Sequence, residues 1–239
     1  MKVIISQPRY LPALNYINRL ATADKFVLLD TVQRQARGWE NRNKLMCDGN
    51  PKWVSIPIDS SSRAIIVDTQ VKGVDWIESH KNIVINYYRS APFFEKDIVH
   101  AYYAGFEETL KATNFSFTEL INQSIRNLGD ILSFQKNVSV ASTLDENREN
   151  WLTGPEELLR IADLIDATTY VSGPNAKDYG IEEVFREIGV KYHQLQHPEY
   201  NQETDDFIEY MGFFDAIFNA GVDKVTEWVN EELNLVENI

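Results

Sequence analysis

The chain has 239 residues, enough for one large domain or two small ones, and 44% of them are hydrophobic while 25% are charged. No apolar stretch is long enough to cross a bilayer, so we predict no membrane insertion. The net charge of −13 argues against a nucleic-acid partner. The single cysteine, Cys47, excludes an internal disulfide and a thiolate-rich metal site, and the chain does not begin like a secretory signal, so we expect a cytoplasmic protein.

Charge is distributed unevenly along the chain. Residues 1–60 contain nine Lys or Arg and five Asp or Glu, whereas residues 181–239 contain three and fourteen. The acidic end is typical of solvated helix surfaces. The basic N-terminal segment predicts a local positive potential that attracts a small anionic ligand such as a phosphate or a carboxylate.

The first thirty residues predict a βαβ unit. Residues 2–6 form a buried strand by their pattern, residues 10–23 a helix behind a proline-bounded loop, and residues 25–30 a second strand. Strand, helix and strand in this order are typical of a parallel sheet. Further strands are predicted at residues 53–58 and 64–67.

The middle of the chain changes to helical periodicity, from residue 76 to about residue 135. Strands and helices then alternate again to the end of the chain. We therefore predict an α/β fold with a mostly parallel, three-layer sheet, and a single domain over residues 1–239. The helical block is predicted to be an insertion or a cap. The later strands are predicted at 137–143, 168–173 and 189–195, and the later helices at 156–165, 181–188 and from 214 onward.

Parallel sheets place their sites at the carboxyl ends of strands, where loops change direction. The loop QPRYLP occupies such an end and has two prolines that restrict its backbone. Gln7 offers a donor and an acceptor, Arg9 offers a planar cation suited to phosphate, and Tyr10 and Tyr16 can stack on a ring. The alternative is a rigid turn with tyrosines packed on the sheet.

A basic, amide-rich segment, LDTVQRQARGWENRNKL, follows the second predicted strand. Such residues suit an anionic, multiply hydroxylated ligand, and the tryptophan favours a site over a solvated loop. Asp30, directly after the strand, is a candidate catalytic residue. The candidate binding residues of the segment are Gln33, Trp39, Asn41, Arg42, Asn43 and Lys44.

His80 lies in a predicted helix and is the candidate general base, because the ordinary pKa of histidine lies near neutrality. The alternative is a histidine that packs or lies on the surface. His193 and His197 have a spacing that suits a metal only on a helix, and a strand is predicted there, so we predict no metal.

The segment VSGPNAKDY ends a predicted strand at a Ser-Gly-Pro sequence, where backbone N–H groups can approach a ligand. It is neither a dinucleotide-binding fingerprint nor a P-loop, and no cofactor is predicted. The alternative is a glycine turn with a surface lysine–aspartate pair. The candidate binding residues here are Ser172, Gly173, Lys177, Asp178 and Tyr179.

Taken together, these motifs resemble the WbqC-like protein family. The resemblance rests on QPRYLPALNYINRL, ADKFVLLDTVQ, GWENRNKL and WVSIPI, on WIESHKNIVINYYRSAPFF in the helical region, and on YVSGPNAKDYG, GVKYHQLQHPEYNQ and DAIFNAG. It covers nearly the whole chain in order. The chain departs from the family pattern at Ala13 and Leu14, where Trp and a small or apolar residue are common, and at Gly180, where Leu is common.

The resemblance implies bacterial cytoplasmic proteins encoded among surface-polysaccharide or O-antigen biosynthesis functions, and it supplies no catalytic residues. On this basis we predict a transferase that acts on a nucleotide-linked amino sugar by acyl or aminoacyl transfer, with an acyl donor or a carrier protein as second partner. Arg9, Arg42 and Lys177 would hold phosphate or carboxylate, and Trp39 and Tyr10 would stack on a ring. The alternative is a non-catalytic binding or scaffold subunit of a glycan-assembly complex.

Overall fold

The computed structural model describes residues 1–35, 37–59, 64–135, 137–145, 152–173, 180–193, 198–202 and 204–236. Strands and helices alternate at both ends of the chain, and helices fill its middle. The strands are β1 (Lys2–Ser6), β2 (Lys25–Leu28), β3 (Arg42–Cys47), β4 (Asn50–Ser55), β5 (Ile58–Asp59), β6 (Gln70–Val71), β7 (Val138–Val140), β8 (Thr169–Ser172), β9 (Gly189–His193) and β10 (Leu235–Val236). The helices are α1 (Leu14–Thr22), α2 (Asp75–Tyr88), α3 (Lys96–Tyr103), α4 (Phe106–Ala112), α5 (Phe117–Ile131), α6 (Pro155–Leu164), α7 (Ile181–Val184), α8 (Phe213–Ala220) and α9 (Val222–Asn230).

The described residues form a central sheet of six strands in the order β10-β9-β8-β1-β2-β7. Its strands are parallel except β10, which runs antiparallel to β9 at one edge. The chain leaves β1 for β2 and β7 on one side and returns to β8 on the other side. The sheet therefore has its switch point between β1 and β8, where a crevice opens at the carboxyl ends of the strands.

Alternating side chains give the sheet two buried faces. Ile4, Phe26 and Leu28 join a large core with α1, the helices α2–α5, α8 and α9. Val3 and Val27 point to the opposite face and join a second core with α6 and α7. Because successive side chains of a strand point to opposite faces and both sets are buried here, helices cover both faces of this mostly parallel sheet. The predicted three-layer α/β fold is confirmed.

The helical block occupies residues 75–131, close to the predicted 76–135. It packs on the same core as the sheet: the ring of Tyr102, on α3, lies 4.8 Å from that of Phe213 and 5.4 Å from that of Phe214, on α8. The division of the chain into domains stays a prediction. Within the described residues, no helix combines the length and apolar character that a membrane span needs.

One strand differs from the prediction. The segment 42–47, interpreted as part of a polar loop, is β3 and pairs with β4 as an antiparallel hairpin. Asn43 and Leu45 are buried on its inner face, while Arg42 and Lys44 lie on its outer face. The alternation that marks a strand was hidden because a buried position holds asparagine. The strand predicted at 64–67 is wrong, because Ile65 forms only an isolated bridge with Gln33 and residues 66–68 form a 3-10 turn. The strand predicted at 137–143 is shorter than expected, since residues 141–143 also form a 3-10 turn.

The hairpin and the start of α8 meet at Gly212. A Cβ atom there would lie 3.2 Å from the Lys44 carbonyl oxygen, 3.2 Å from Leu45 Cδ2 and 3.3 Å from the Leu11 carbonyl oxygen. Only a residue without a side chain lets these three backbones approach so closely.

We expect Gly212→Ala to lower the free energy of unfolding by about 1 to 3 kcal/mol, because the added methyl group meets backbone atoms that cannot move aside. Urea unfolding of the variant and the wild type measures this difference. Gly189→Ala is the matched control, because its Cβ would find only ordinary contacts, the nearest at 3.6 Å. Equal stabilities of the two variants would contradict the close approach.

Candidate functional site

A cavity of about 740 Å³ opens at the switch point, beside the carboxyl ends of β1 and β8. Its walls come from the loop after β1, from α1, from the turn before β3, from the start of α6 and from the end of β8. The structure brings these predicted residues to the cavity: Gln7, Arg9, Tyr10, Tyr16, Trp39, Asn43, Ser172 and Gly173. It also places there some residues that were not predicted, among them Asn15, Arg19, Gln35, Tyr170 and Tyr210.

The loop after β1 is held by hydrogen bonds to three other segments. The Tyr10 N–H donates to the Glu40 carbonyl at 2.8 Å, and the Phe213 N–H donates to the Pro12 carbonyl at 3.1 Å. Asn43, buried on β3, donates its side-chain amide to the Leu11 carbonyl at 2.6 Å. Leu11 has φ of 47°, a left-handed conformation that these contacts stabilise. These hydrogen bonds therefore restrict the conformation of the loop.

The N-terminus of α1 faces the cavity. Ala13 is its N-cap residue and provides no side-chain hydrogen bond, and the first turn holds no acidic residue. Ala13 and Asn15 both line the cavity. The first N–H groups of the helix and its dipole therefore add positive potential at this wall.

Two arginines flank the ring of Tyr16. The guanidinium carbon of Arg9 lies 6.0 Å from the ring centroid and that of Arg19 lies 5.4 Å from it. The Tyr16 hydroxyl donates to the Gln7 carbonyl at 3.0 Å, which fixes the ring between loop and helix. Burial lowers the pKa of both arginines, and the charge of Arg9 lowers the pKa of Arg19 further. Both guanidinium groups keep their charge, because arginine is not deprotonated in proteins.

Neither arginine has an ion-pair partner among the described residues. Glu40 lies close enough to favour the charged form of Arg9 electrostatically, and Arg19 donates its Nε–H to the Asn15 carbonyl at 3.3 Å. Two partly buried positive charges thus line the same cavity, and no carboxylate in the described part of the chain is bonded to either of them. Such a pair favours an anionic ligand, since burial of unpaired charge is costly.

The part of the lining that β8 provides contains a tyrosine and a serine. Tyr170, on β8, stacks on Phe185 with ring centroids 4.7 Å apart. The Ser172 hydroxyl donates to the Tyr170 hydroxyl at 3.3 Å. Burial raises the pKa of Tyr170, while the charge of Arg19 opposes this shift, so Tyr170 presents a neutral phenol to the same cavity as the arginine.

His80 lies behind this cavity and does not line it. Its side chain is 6% exposed, and its Nδ1 is 2.8 Å from the Tyr10 hydroxyl, which is 2.7 Å from the Tyr103 hydroxyl. Burial lowers the pKa of His80 to about 4, so the ring is neutral at neutral pH. His80 therefore contacts the site through Tyr10, and its catalytic role stays a prediction.

Asp30 is also absent from the described lining of the cavity. It is fully buried, and its carboxylate accepts hydrogen bonds from the Ser142 N–H at 2.9 Å and the Ser142 hydroxyl at 2.7 Å. Burial raises its pKa. These bonds connect the end of β2 to the turn after β7, and a catalytic role for Asp30 stays a prediction.

Four predicted residues near the hairpin lie beside the cavity rather than in its described lining. Asn41 donates to the Ile56 carbonyl at 2.8 Å, and Gln33 forms a bridge with Ile65. Arg42 donates to the Gly38 carbonyl at 3.0 Å, and the Lys44 ammonium lies 5.7 Å from the Trp39 ring centroid. Lys177, Asp178 and Tyr179, and also His197, lie outside the described residues.

Sequence reasoning missed Arg19 although one signal was present. Asn15 and Arg19 are four residues apart in a predicted helix that follows the candidate loop, so they share a face with Tyr16. That face points to the cavity. The described lining contains no carboxylate, histidine or thiol, and the described residues contain no group of three potential metal ligands.

The fold is that of an α/β protein with a mostly parallel sheet, and a cavity lies at the switch point of that sheet. The model of the WbqC-like protein family matches residues 7–227, so the chain belongs to that family and the resemblance is confirmed. The chain is 28% identical over 229 residues to the uncharacterised protein Rv1507c of Mycobacterium tuberculosis, covering 93% of this chain and 95% of that protein. No solved structure matches the chain significantly.

The buried histidine predicts a pH dependence of stability. Between the ordinary histidine pKa of 6.5 and the value of about 4 in the fold, the unfolded chain binds a proton that the folded protein excludes, so stability falls as the pH falls. Between about pH 7 and about pH 5 we expect the wild type to lose about 2 kcal/mol more than His80→Asn.

Urea unfolding of both proteins at the two pH values measures this difference. Burial raises the pKa values of Asp30 and Asp215, so these groups stabilise the fold as the pH falls, which is opposite to the effect of His80. Both proteins contain these aspartates, so their effect cancels in the comparison. An identical pH dependence in the two proteins would contradict a buried neutral His80.

Proposed function

We propose that the chain binds a nucleotide-linked amino sugar in the switch-point cavity and transfers an acyl or aminoacyl group to it. The observation that carries the proposal is the pair Arg9 and Arg19, which flanks Tyr16 without a bonded carboxylate among the described residues. A diphosphate is the ligand group that best matches two guanidinium forks beside a helix N-terminus.

The other walls suit the uncharged parts of such a ligand. Asn15 and Gln7 offer amide donors and acceptors for sugar hydroxyl groups. Trp39, Tyr170 and Tyr210 offer aromatic surface for ring stacking. A cavity of about 740 Å³ is within the usual range for ligands of this size.

Arginine substitution tests the binding half of the proposal. We expect Arg19→Gln to weaken the binding of UDP-glucosamine, whose sugar amine is free, by about 10- to 100-fold, because a charge-assisted hydrogen bond to phosphate is lost. Isothermal titration calorimetry at low salt measures the change. Arg89→Gln is the matched control, since it removes the same charge from an exposed position on the helical block.

Unchanged affinity in Arg19→Gln would contradict the assigned site. The absence of binding for UDP-, GDP- and dTDP-linked amino sugars to the wild type would contradict the ligand class. In the proposed transfer the sugar amine forms an amide bond while the C–S bond of an acyl thioester breaks, and the free thiol leaves with the proton lost from the amine. Mass spectrometry of the nucleotide sugar tests this second half, because the product gains the mass of the acyl group less one hydrogen.

The described lining favours one alternative, a non-catalytic binding subunit of a glycan-assembly complex. It contains no carboxylate, histidine or thiol that would act as a general base for the attacking amine. For this alternative we expect nucleotide-sugar binding without product in any transfer assay, and co-purification of a partner enzyme. Transfer activity that survives purification to one chain would contradict it.

A further inference from the structure

The tryptophan in the cavity wall is supported by a second tryptophan outside it. Trp39 lines the cavity, and its ring centroid is 5.0 Å from that of Trp53 at an interplanar angle of 60°. Trp53 is not in the described lining and is 47% exposed. Trp53 therefore contacts Trp39 without lining the cavity, and Trp39 is the member of the pair that faces the cavity.

An arginine in turn fixes the second tryptophan. The Arg42 guanidinium carbon lies 4.4 Å from the Trp53 ring centroid. Arg42 donates its Nε–H to the Gly38 carbonyl at 3.0 Å and its Nη2–H to the Arg37 carbonyl. Both carbonyls belong to the turn that carries Trp39. One side chain thus connects this turn to the ring that supports Trp39.

The hairpin register explains how these groups meet. Lys44 pairs with Trp53, and Arg42 pairs with Ser55, so their side chains share the outer face of the hairpin. The Lys44 ammonium also lies 5.7 Å from the Trp39 ring centroid. The outer face therefore combines two aromatic rings with two cations at the edge of a cavity that already holds Arg9 and Arg19.

Aromatic rings and cations beside an anion site favour the binding of a planar ring that is attached to an anion. Nucleobases stack on aromatic side chains through their faces, and cations beside the stack suit their carbonyl oxygens. A sugar ring can pack on a tryptophan through its C–H bonds, but it does not offer the π-face and the ring carbonyl oxygens that a base presents to the neighbouring cations. The Trp39 ring is already in contact with Trp53, so it loses little side-chain freedom when a base stacks on it.

We infer that Trp39 is the stacking surface for the nucleobase of the ligand, and that Trp53 and Arg42 are positioning residues that fix its ring. The inference rests on the proposed function, because it assumes that the diphosphate binds at Arg9 and Arg19. It assigns a task to Arg42 that does not require contact with the ligand.

The test compares the affinity for a nucleoside diphosphate with the affinity for inorganic pyrophosphate, and the ratio of these two affinities is the measured quantity. Calorimetry with UDP, GDP and pyrophosphate as probes gives both affinities. We expect the wild type to bind the better nucleoside diphosphate about 5- to 100-fold tighter than pyrophosphate. In Trp39→Ala the ratio is expected to fall to about one, with pyrophosphate affinity unchanged. In Arg42→Ala the ratio is expected to fall by about threefold, and Arg42→Lys is expected to recover part of it.

The controls separate stacking from folding. Trp228→Ala removes a tryptophan on α9 that does not line the cavity, and it is expected to keep the wild-type ratio. If Trp39→Ala does not fold, Trp39→Phe, which keeps a smaller ring, is expected to keep a reduced ratio above one, and Arg42→Ala supplies the independent result.

Failure of the inference differs from failure of the proposed function. A wild type that binds pyrophosphate and nucleoside diphosphates equally, or a ratio that survives Trp39→Ala, overturns the stacking surface and leaves the anion site in place. A ratio unaffected by Arg42→Ala overturns the positioning role. A wild type that binds none of the probes overturns both proposals.

Discussion

Two guanidinium groups share the ring of Tyr16 at the end of the central strand, and no carboxylate among the described residues is bonded to either of them. Burial removes water from both groups and the two like charges repel, which opposes their charged forms, and Glu40 offsets only part of this at Arg9. An anion that binds between loop and helix would remove this penalty. The chemistry proposed for the cavity depends on this one imbalance of charge.

The remaining structure holds the two arginines where they are. Arg9 belongs to a loop whose carbonyls are bound by Asn43 and by the start of α8, and Arg19 belongs to a helix fixed at its other side by α9. Asn18 contributes to that fixation by donating to the Val229 carbonyl at 3.0 Å and the Glu231 carbonyl at 2.8 Å. These contacts restrict the backbone around both arginines, so the binding of an anion would cost little further ordering of the site.

The sequence predicts this site as far as local patterns and sheet topology determine it. A loop with Gln7 and Arg9 after the first strand of a parallel sheet must lie at a carboxyl edge, and it does. The position of Arg19 in the cavity could not be predicted without knowing which face of α1 turns toward that edge. Asn41 and Arg42 have the composition of ligand donors but donate to backbone carbonyls, and sequence alone does not distinguish these uses. His80 is separated from the cavity by the side chain of Tyr10. Tertiary packing determines this position, and the local sequence pattern does not show it.

A crystal structure of the protein with a nucleotide-linked amino sugar would test the charge imbalance most directly. The expected result is a diphosphate at the N-terminus of α1, with phosphate oxygens within hydrogen-bonding distance of Arg9 and Arg19. A diphosphate bound elsewhere on the protein, with both arginines unoccupied, would contradict the assignment. So would an arginine pair neutralised by a carboxylate of the chain itself, since the cavity would then have no unpaired charge to offer a ligand.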